Sequence, residues 1–168
     1  MKKIEVKVGK PYPIYIEKGI LQQAASYMQQ IDHYKKIMIV CDDNVFPHYG
    51  DDLISLLQPV CEVHHIIVKH GEESKQMGVA MELYQALITH NFTRSDAIIA
   101  LGGGVIGDLT GYVAATYLRG IALIQIPTSL LAQVDASVGG KVALNMPEAK
   151  NLIGTFYHPQ LVLIDPST

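Results

Sequence analysis

Cysteine is scarce in these 168 residues: Cys41 and Cys61 are its only examples, too few for a disulfide framework and without the paired spacing of a zinc site. Both are expected to behave as small buried apolar side chains. No stretch approaches the roughly 18 consecutive apolar residues that a membrane span needs. The opening Met1-Lys2-Lys3-Ile4-Glu5-Val6-Lys7-Val8 alternates charge with Ile and Val where a signal peptide would be continuously apolar. A cytoplasmic protein without membrane contact is therefore expected. An excess of one charge is missing too: 13 Lys and Arg against 16 Asp and Glu leave a net charge of -3, with no basic tail or acidic block, and the electrostatic case for nucleic acid disappears with it. The seven histidines form no H-E-x-x-H pattern, so no metal site is expected from this chain alone.

What the sequence does have is apolar material: 49% hydrophobic residues against 17% charged, in a length that suits a single domain with its own core. Alternation at Ile4, Val6 and Val8, a break at Gly9-Lys10-Pro11, and Ile14-Tyr15-Ile16 predict two half-buried strands at a sheet edge. Ile20, Leu21, Ala24, Ala25, Met28 and Ile31 fall at helical spacing. Short apolar runs then predict strands at 36–41, 61–68, 97–101 and 121–126, alternating with helices at 45–57, 75–89 and 107–117. A corner at Pro127-Thr128-Ser129, a short helix through Val134, a glycine-rich stretch and a last strand at 161–164 complete the chain. Repeated strand–helix alternation implies right-handed crossovers, hence an α/β fold with a Rossmann-like parallel sheet and helices on both faces.

The densest chemical signal is Leu101-Gly102-Gly103-Gly104-Val105-Ile106-Gly107-Asp108, between a predicted buried strand and a predicted helix. Glycines at 102, 104 and 107 satisfy G-x-G-x-x-G: without Cβ atoms the backbone can turn tightly and approach a diphosphate, whose charge the free N–H groups and the helix dipole favour. The alternative is that these glycines serve only close strand–helix packing. An ordinary Rossmann unit places an acid roughly 20 residues later, where this chain has Ala122-Leu123-Ile124-Gln125. A ribose acceptor is expected instead from Asp42, at the carboxyl end of an earlier strand, with Asp43 or Asn44 as caps of the following helix. Gly71-Glu72-Glu73-Ser74-Lys75 likewise joins a strand to a helix, and is either a solvated cap or a reach toward the adenosine side of a cofactor.

A second cluster collects Pro127-Thr128-Ser129, Asp135-Ala136-Ser137-Val138-Gly139-Gly140-Lys141 and Lys150-Asn151-Leu152-Ile153-Gly154. Hydroxyls, a carboxylate, two ammonium groups and an amide spaced by glycines are costly near an apolar core unless an oxygen-rich ligand fills the gap. Lys141 and Lys150 suit carboxylate or phosphate, and Asp135 suits a hydroxyl. Each lysine is otherwise an ordinary exposed loop residue. Arg119 either closes the negative end of the glycine-loop helix or projects toward a partner subunit.

In this order and at these intervals the motifs closely resemble the 3-dehydroquinate synthase family, across nearly the whole chain. The resemblance implies that residues 1–168 are an NAD-binding amino-terminal domain. It implies that Asp42, Glu72, Lys75, the loop Gly103, Gly104, Val105, Ile106, Gly107 and Asp108, together with Thr128, Ser129, Lys141 and Lys150, line the cofactor. It further implies that Asp135, Lys141, Lys150 and Asn151 face a sugar-acid phosphate, and that Arg119 reaches across a homodimer interface toward its phosphate. Ser129 stands where a second Thr is usual, and Ala149 where Gly usually precedes the Lys-Asn pair; both changes keep the polar groups.

The family binds zinc or cobalt through a Glu and two His of a helical carboxyl-terminal domain. None of these ligands is in this sequence, so the chain is expected to fold and bind NAD while turning over little substrate. Another sugar-phosphate cyclase, such as a 2-deoxy-scyllo-inosose synthase, and a non-catalytic NAD-binding or phosphometabolite-binding module are the alternative readings. A glycerol dehydrogenase-like enzyme shares the domain type, but the 135–141 and 150–154 segments argue against it.

Overall fold

A computed structural model describes residues 1–168. The amino-terminal strands β1 (Lys2–Val6) and β2 (Tyr12–Ile16) form the expected edge ribbon, which pairs antiparallel. Four αβ steps follow, built from α1 (Ala24–Gln29), β3 (Lys36–Asp42), α2 (Phe46–Leu57), β4 (Glu62–Val68), α3 (Met77–Thr89), β5 (Ala97–Gly102), α4 (Gly104–Thr116) and β6 (Ala122–Pro127). A hairpin of β7 (Lys141–Leu144) and β8 (Ile153–Phe156) then precedes the last strand, β9 (Leu161–Ile164). The large sheet runs in the order β1-β2-β9-β6-β5-β3-β4, and every neighbouring pair except β1 with β2 is parallel.

The central strands are continuously apolar because both their faces are covered. Period-2 alternation sends Ile37, Ile39, Cys41, Ile99, Leu101 and Ile124 to one face, where Tyr27, Met28, Leu53 and Leu57 of α1 and α2 cover them. Met38, Val40, Ile98, Ala100 and Leu123 point the other way, under Leu83 and Leu87 of α3 and Ile106, Leu109 and Val113 of α4. His64 and His65 follow the same rule: His64 lies against the tilted ring of His90 and meets Phe92 edge-on, while His65 stacks on Phe46 of α2.

Several expectations need correction. The helix expected from 20 to 31 is a 3-10 turn (Ile20–Gln23) followed by the short α1, entered through Gly19 at φ 78°. The helix expected from 107 begins at Gly104, so three residues of the glycine loop form its first turn. Conversely α3 begins at Met77, after a 3-10 turn at Glu72–Ser74 leaves Lys75 non-helical (φ −81°, ψ 60°). The β7–β8 hairpin falls where a glycine-rich stretch without regular structure was expected. Cys41 is buried, but Cys61 is only half-buried, its thiol donating to the Leu57 carbonyl at 3.5 Å. Burial holds both thiols up, to about 12 and about 11, well outside the range of a reactive cysteine. No helix is long and apolar enough to cross a membrane.

Candidate functional site

The strand order sets where a ligand can enter. From β4, at one edge, the chain crosses back over β3 to β5 and then moves steadily toward β9. The helix after β3 covers one face and the helix after β5 covers the other. Their connections therefore part at the carboxyl ends of β3 and β5, opening the crevice that doubly wound sheets use for ligands. Asp42 ends β3, and Gly102 ends β5 just before Gly103.

At the second of these ends the backbone itself is the feature. Gly102 is tied to the next strand, its carbonyl accepting from Thr128 N–H at 3.0 Å, and Gly107 N–H donates to the Gly103 carbonyl at 3.0 Å as the first bond of α4. No side chain caps the helix, and the N–H groups of Gly104, Val105 and Ile106 have no partner within the chain. A Cβ on Gly103 would stand 3.4 Å from Ser129 Oγ, and one on Gly104 3.3 Å from Ala136 Cβ. Side chains there would fill the space before the amides. Gly102 and Gly107 have a different reason to be glycine: added Cβ atoms would meet Ile106 at 2.8 Å and Gln125 Oε1 at 3.1 Å. Packing and ligand approach thus divide between the glycines, and the fit to a pyrophosphate rests on Gly103, Gly104 and three unpaired amides. Ile106 and Gly107 are buried, so their contribution is backbone only.

Beside this loop lies a charged network. Lys75 is only 4% exposed, and its Nζ donates to Asp108 Oδ2 and, at 2.5 Å, to Asn151 Oδ1. Its non-helical backbone directs the side chain inward. Burial raises the Asp108 pKa, and the contact with Lys75 offsets part of that rise. Asn145 joins the same network: its Nδ2 donates to Glu72 Oε1 at 2.7 Å, and its Oδ1 accepts from Asn151 N–H at 2.8 Å. Lys150 Nζ is 4.0 Å from Glu72, but is largely exposed.

A cavity of about 690 Å³ opens between α4 and the hairpin, bordered by Asp108, Asp135, Lys141 and Asn151. Asp135 belongs to a single π-helical turn (Ala132–Ala136), a form frequent at functional sites. An adjoining cavity of about 790 Å³ is bordered by Glu72, Lys75, Asn145 and Lys150. The hairpin is what assembles these charges, since β7 begins with Lys141 and the loop before β8 carries Asn145, Lys150 and Asn151.

Three more of the expected residues have defined places. Asp42 closes the turn that leads into α2, its Oδ1 accepting from Asn44 and Val45 N–H, each at 2.9 Å, while the helix itself has no side-chain cap; its other oxygen makes no bond within the chain. Asp43 caps nothing, but holds the β4 end through Lys69 Nζ at 3.0 Å and His70 N–H at 2.8 Å. Arg119 is exposed at the far end of α4, whose 13 residues put it about 20 Å from the glycine loop at 1.5 Å per residue. Arg94, not Arg119, bonds the carbonyl of Leu118 at that end. Asn145 was not anticipated: beside Met146-Pro147 it has the composition of a turn.

Fold and crevice together define a doubly wound α/β domain with its ligand crevice at the switch point of the sheet. Residues 65–168 match the family described as 3-dehydroquinate synthase N-terminal, and the chain belongs to that family. It is 51% identical over 158 residues to a 3-dehydroquinate synthase of Clostridium botulinum (strain Alaska E43 / Type E3), covering 94% of this chain and 45% of that protein. It is 53% identical over 156 residues to that of Latilactobacillus sakei subsp. sakei (strain 23K), covering 92% and 44%. The chain thus spans a little under half the length of these relatives. Among solved structures, a 2-deoxy-scyllo-inosose synthase complexed with carbaglucose-6-phosphate, NAD+ and Co2+ matches with a TM-score of 0.91 at 28% identity, over 98% of this chain and 45% of that one. A glycerol dehydrogenase from Schizosaccharomyces pombe, at 19% identity and a TM-score of 0.69, shares the fold alone, over 90% of this chain and 36% of that one.

Proposed function

We propose that residues 1–168 form the NAD-binding half of a cytoplasmic 3-dehydroquinate synthase. That enzyme converts 3-deoxy-D-arabino-heptulosonate 7-phosphate to 3-dehydroquinate and phosphate in the shikimate pathway. The observation that carries the reading is the uncapped, glycine-built start of α4 at the switch point of the sheet, flanked by the Lys75, Asp108 and Asn151 cluster. Three unpaired amides there suit a pyrophosphate. The free oxygen of Asp42 suits a ribose hydroxyl, with Glu72, Thr128 and Ser129 closing the cofactor's flanks.

Bound NAD supplies a reversible hydride acceptor, so that oxidation, loss of phosphate and return of the hydride leave it unchanged. The protein's part is orientation. Lys141 and Lys150 bring positive charge for carboxylate or phosphate, Asp135 and Asn151 hold hydroxyls, and Lys75 keeps Asp108 paired at the border of the cavity. Zinc or cobalt is assigned to the remainder of the polypeptide. Exposed Leu152 and Phe156 line the cavity, and Leu130, Leu131 and Val134, just before its Asp135, are exposed as well; such apolar surface suits a second domain that closes the site. Exposed Arg119 is assigned to a homodimer partner's site.

Calorimetric titration of this chain with NAD tests the reading: saturable heat is expected, and absence of heat at millimolar NAD overturns it. The closest rival is a different cyclase specificity, favoured by the TM-score of 0.91 to 2-deoxy-scyllo-inosose synthase. The 51% identity to a 3-dehydroquinate synthase against 28% to that enzyme favours the first assignment. A panel of sugar phosphates offered to the full-length enzyme separates the two.

A further inference from the structure

We infer that Asn145 is a positioning residue that couples the cofactor side of the site to the substrate side; its ligand consequences rest on the function proposed above. The side-chain amide can face only one way. Asn151 N–H is solely a donor and must meet Oδ1, at 2.8 Å, while the Glu72 carboxylate is solely an acceptor and must meet Nδ2, at 2.7 Å. The backbone of Asn145 is fixed as well: its N–H donates to the Lys75 carbonyl at 2.8 Å, and Gln76 bridges to it as an isolated β-bridge. One residue of the hairpin loop therefore holds the turn that carries Glu72 and Lys75, and also the residue whose amide accepts from Lys75 Nζ.

Asn151 needs that hold. Its φ of 55° lies in the left-handed region, which an Asn tolerates but does not prefer, and the bond from its N–H to Asn145 fixes it there. Glu72 has the complementary problem. It is an exposed carboxylate whose cation, Lys150, is 4.0 Å away and mostly solvated, a contact that contributes little. The Asn145 amide is its close partner. Removing that amide releases Glu72 on the cofactor side and Asn151 on the substrate side in one step.

The test uses Asn145→Ala and the isosteric Asn145→Asp, each compared with the unsubstituted chain at pH 8 and pH 5 by NAD calorimetry, melting temperature and amide hydrogen exchange. The ionisable groups facing the position are Glu72, Glu73, Lys75, Asp108 and Lys150, and comparison at equal pH cancels their own titration. Asn145→Ala is expected to weaken NAD about tenfold, the loss of one hydrogen bond to a charged group. Asn145→Asp at pH 8 sets two carboxylates against each other and is expected to weaken NAD by a similar factor. At pH 5 the pair shares a proton, a donor to Glu72 is regained, and the deficit is expected to fall below about threefold. A purely structural Asn145 would lower melting temperature in both variants with NAD affinity unchanged at either pH, and that result overturns the inference. Should Asn145→Ala fail to fold, the aspartate variant carries the test alone. Should the unsubstituted chain bind no NAD, the proposed function falls and the inference is decided by the Asn151 amide. Exchange about tenfold faster in Asn145→Ala, with Asn145→Asp, which keeps an acceptor for that amide, near the unsubstituted rate, sustains it, and unchanged exchange in Asn145→Ala overturns it.

Discussion

Gly111 of α4 lies so close to Val142 of β7 that a Cβ added to the glycine would stand 2.3 Å from Val142 Cγ1. This contact sets how near the hairpin approaches the helix, and Val142 immediately follows Lys141. Gly111→Ala is expected to push the hairpin outward and destabilise the fold by about 1–3 kcal/mol, the usual cost of overpacking a β-branched neighbour. Because the first turn of α4 is untouched, NAD affinity should change less than stability. Adding Val142→Ala should recover most of the loss, and a urea double-mutant cycle checks the coupling. Additive single effects would contradict the contact as described.

Lys75 and Asp108 form the one strongly buried ion pair, with side chains 5% and 21% exposed. Lys75→Met leaves Asp108 without its cation, and removal of one partner from a buried pair costs about 3–5 kcal/mol. The pH dependence has a definite sign. Burial already raises the Asp108 pKa, and Lys75 opposes that rise, so the variant's folded value climbs further above the unfolded one. A carboxyl raised in the folded state binds protons preferentially there, and stability then falls as pH rises from the unfolded pKa through the folded one. The variant's deficit in urea should accordingly be smaller at pH 5 than at pH 8. Asp108→Asn in the same chain should remove that difference.

The parts of this arrangement that were legible in the sequence share a physical cause. Strands β3, β5 and β6 are covered on both faces, so their apolar runs are continuous and bounded by polar turns. The glycine loop was legible because the backbone geometry it needs excludes side chains. The β7–β8 hairpin was not: all four residues of β8, Ile153–Phe156, are exposed, so no alternation marks it as a strand. Its glycine and polar residues read as loop, and only pairing with β7 gives them order. Asn145 escaped for a related reason, since its importance comes from where Glu72 and Asn151 arrive in space.

Adjacent Asp42 and Asp43 should separate cleanly on substitution. Asp42→Asn keeps an acceptor for the Asn44 and Val45 amides, so stability should hold while NAD weakens about tenfold through loss of a charge-assisted ribose contact. Asp43 has the opposite profile. Bonds from Lys69, and then from His70, hold its carboxyl well below the usual carboxylate range. A folded pKa below the unfolded one contributes stability above the unfolded value that is lost as pH falls through the folded one. Asp43→Asn should therefore flatten the decline in stability below about pH 4, near the ordinary Asp pKa, and leave NAD affinity unchanged. Calorimetry paired with acid unfolding reads both.

Arg119 is exposed, in the left-handed region at φ 64°, and at the end of α4 remote from the cavity of its own chain. Arg119→Ala should therefore leave the melting temperature and NAD affinity of this chain within error, the common result for a surface residue away from caps and cores. Its proposed role in a partner's site needs a different measurement. In a full-length 3-dehydroquinate synthase, the substitutions matching Arg119→Ala and Lys141→Ala should each abolish most turnover. When the two inactive proteins are unfolded together and refolded as a mixture, half of the twofold-symmetric dimers should carry one of each. In these, one of the two sites regains both groups, so about a quarter of the full activity should return. Each protein refolded separately should stay inactive. If the mixture stays inactive while hybrid dimers are shown to form, Arg119 acts within its own subunit or not at all, and the cross-subunit assignment is wrong.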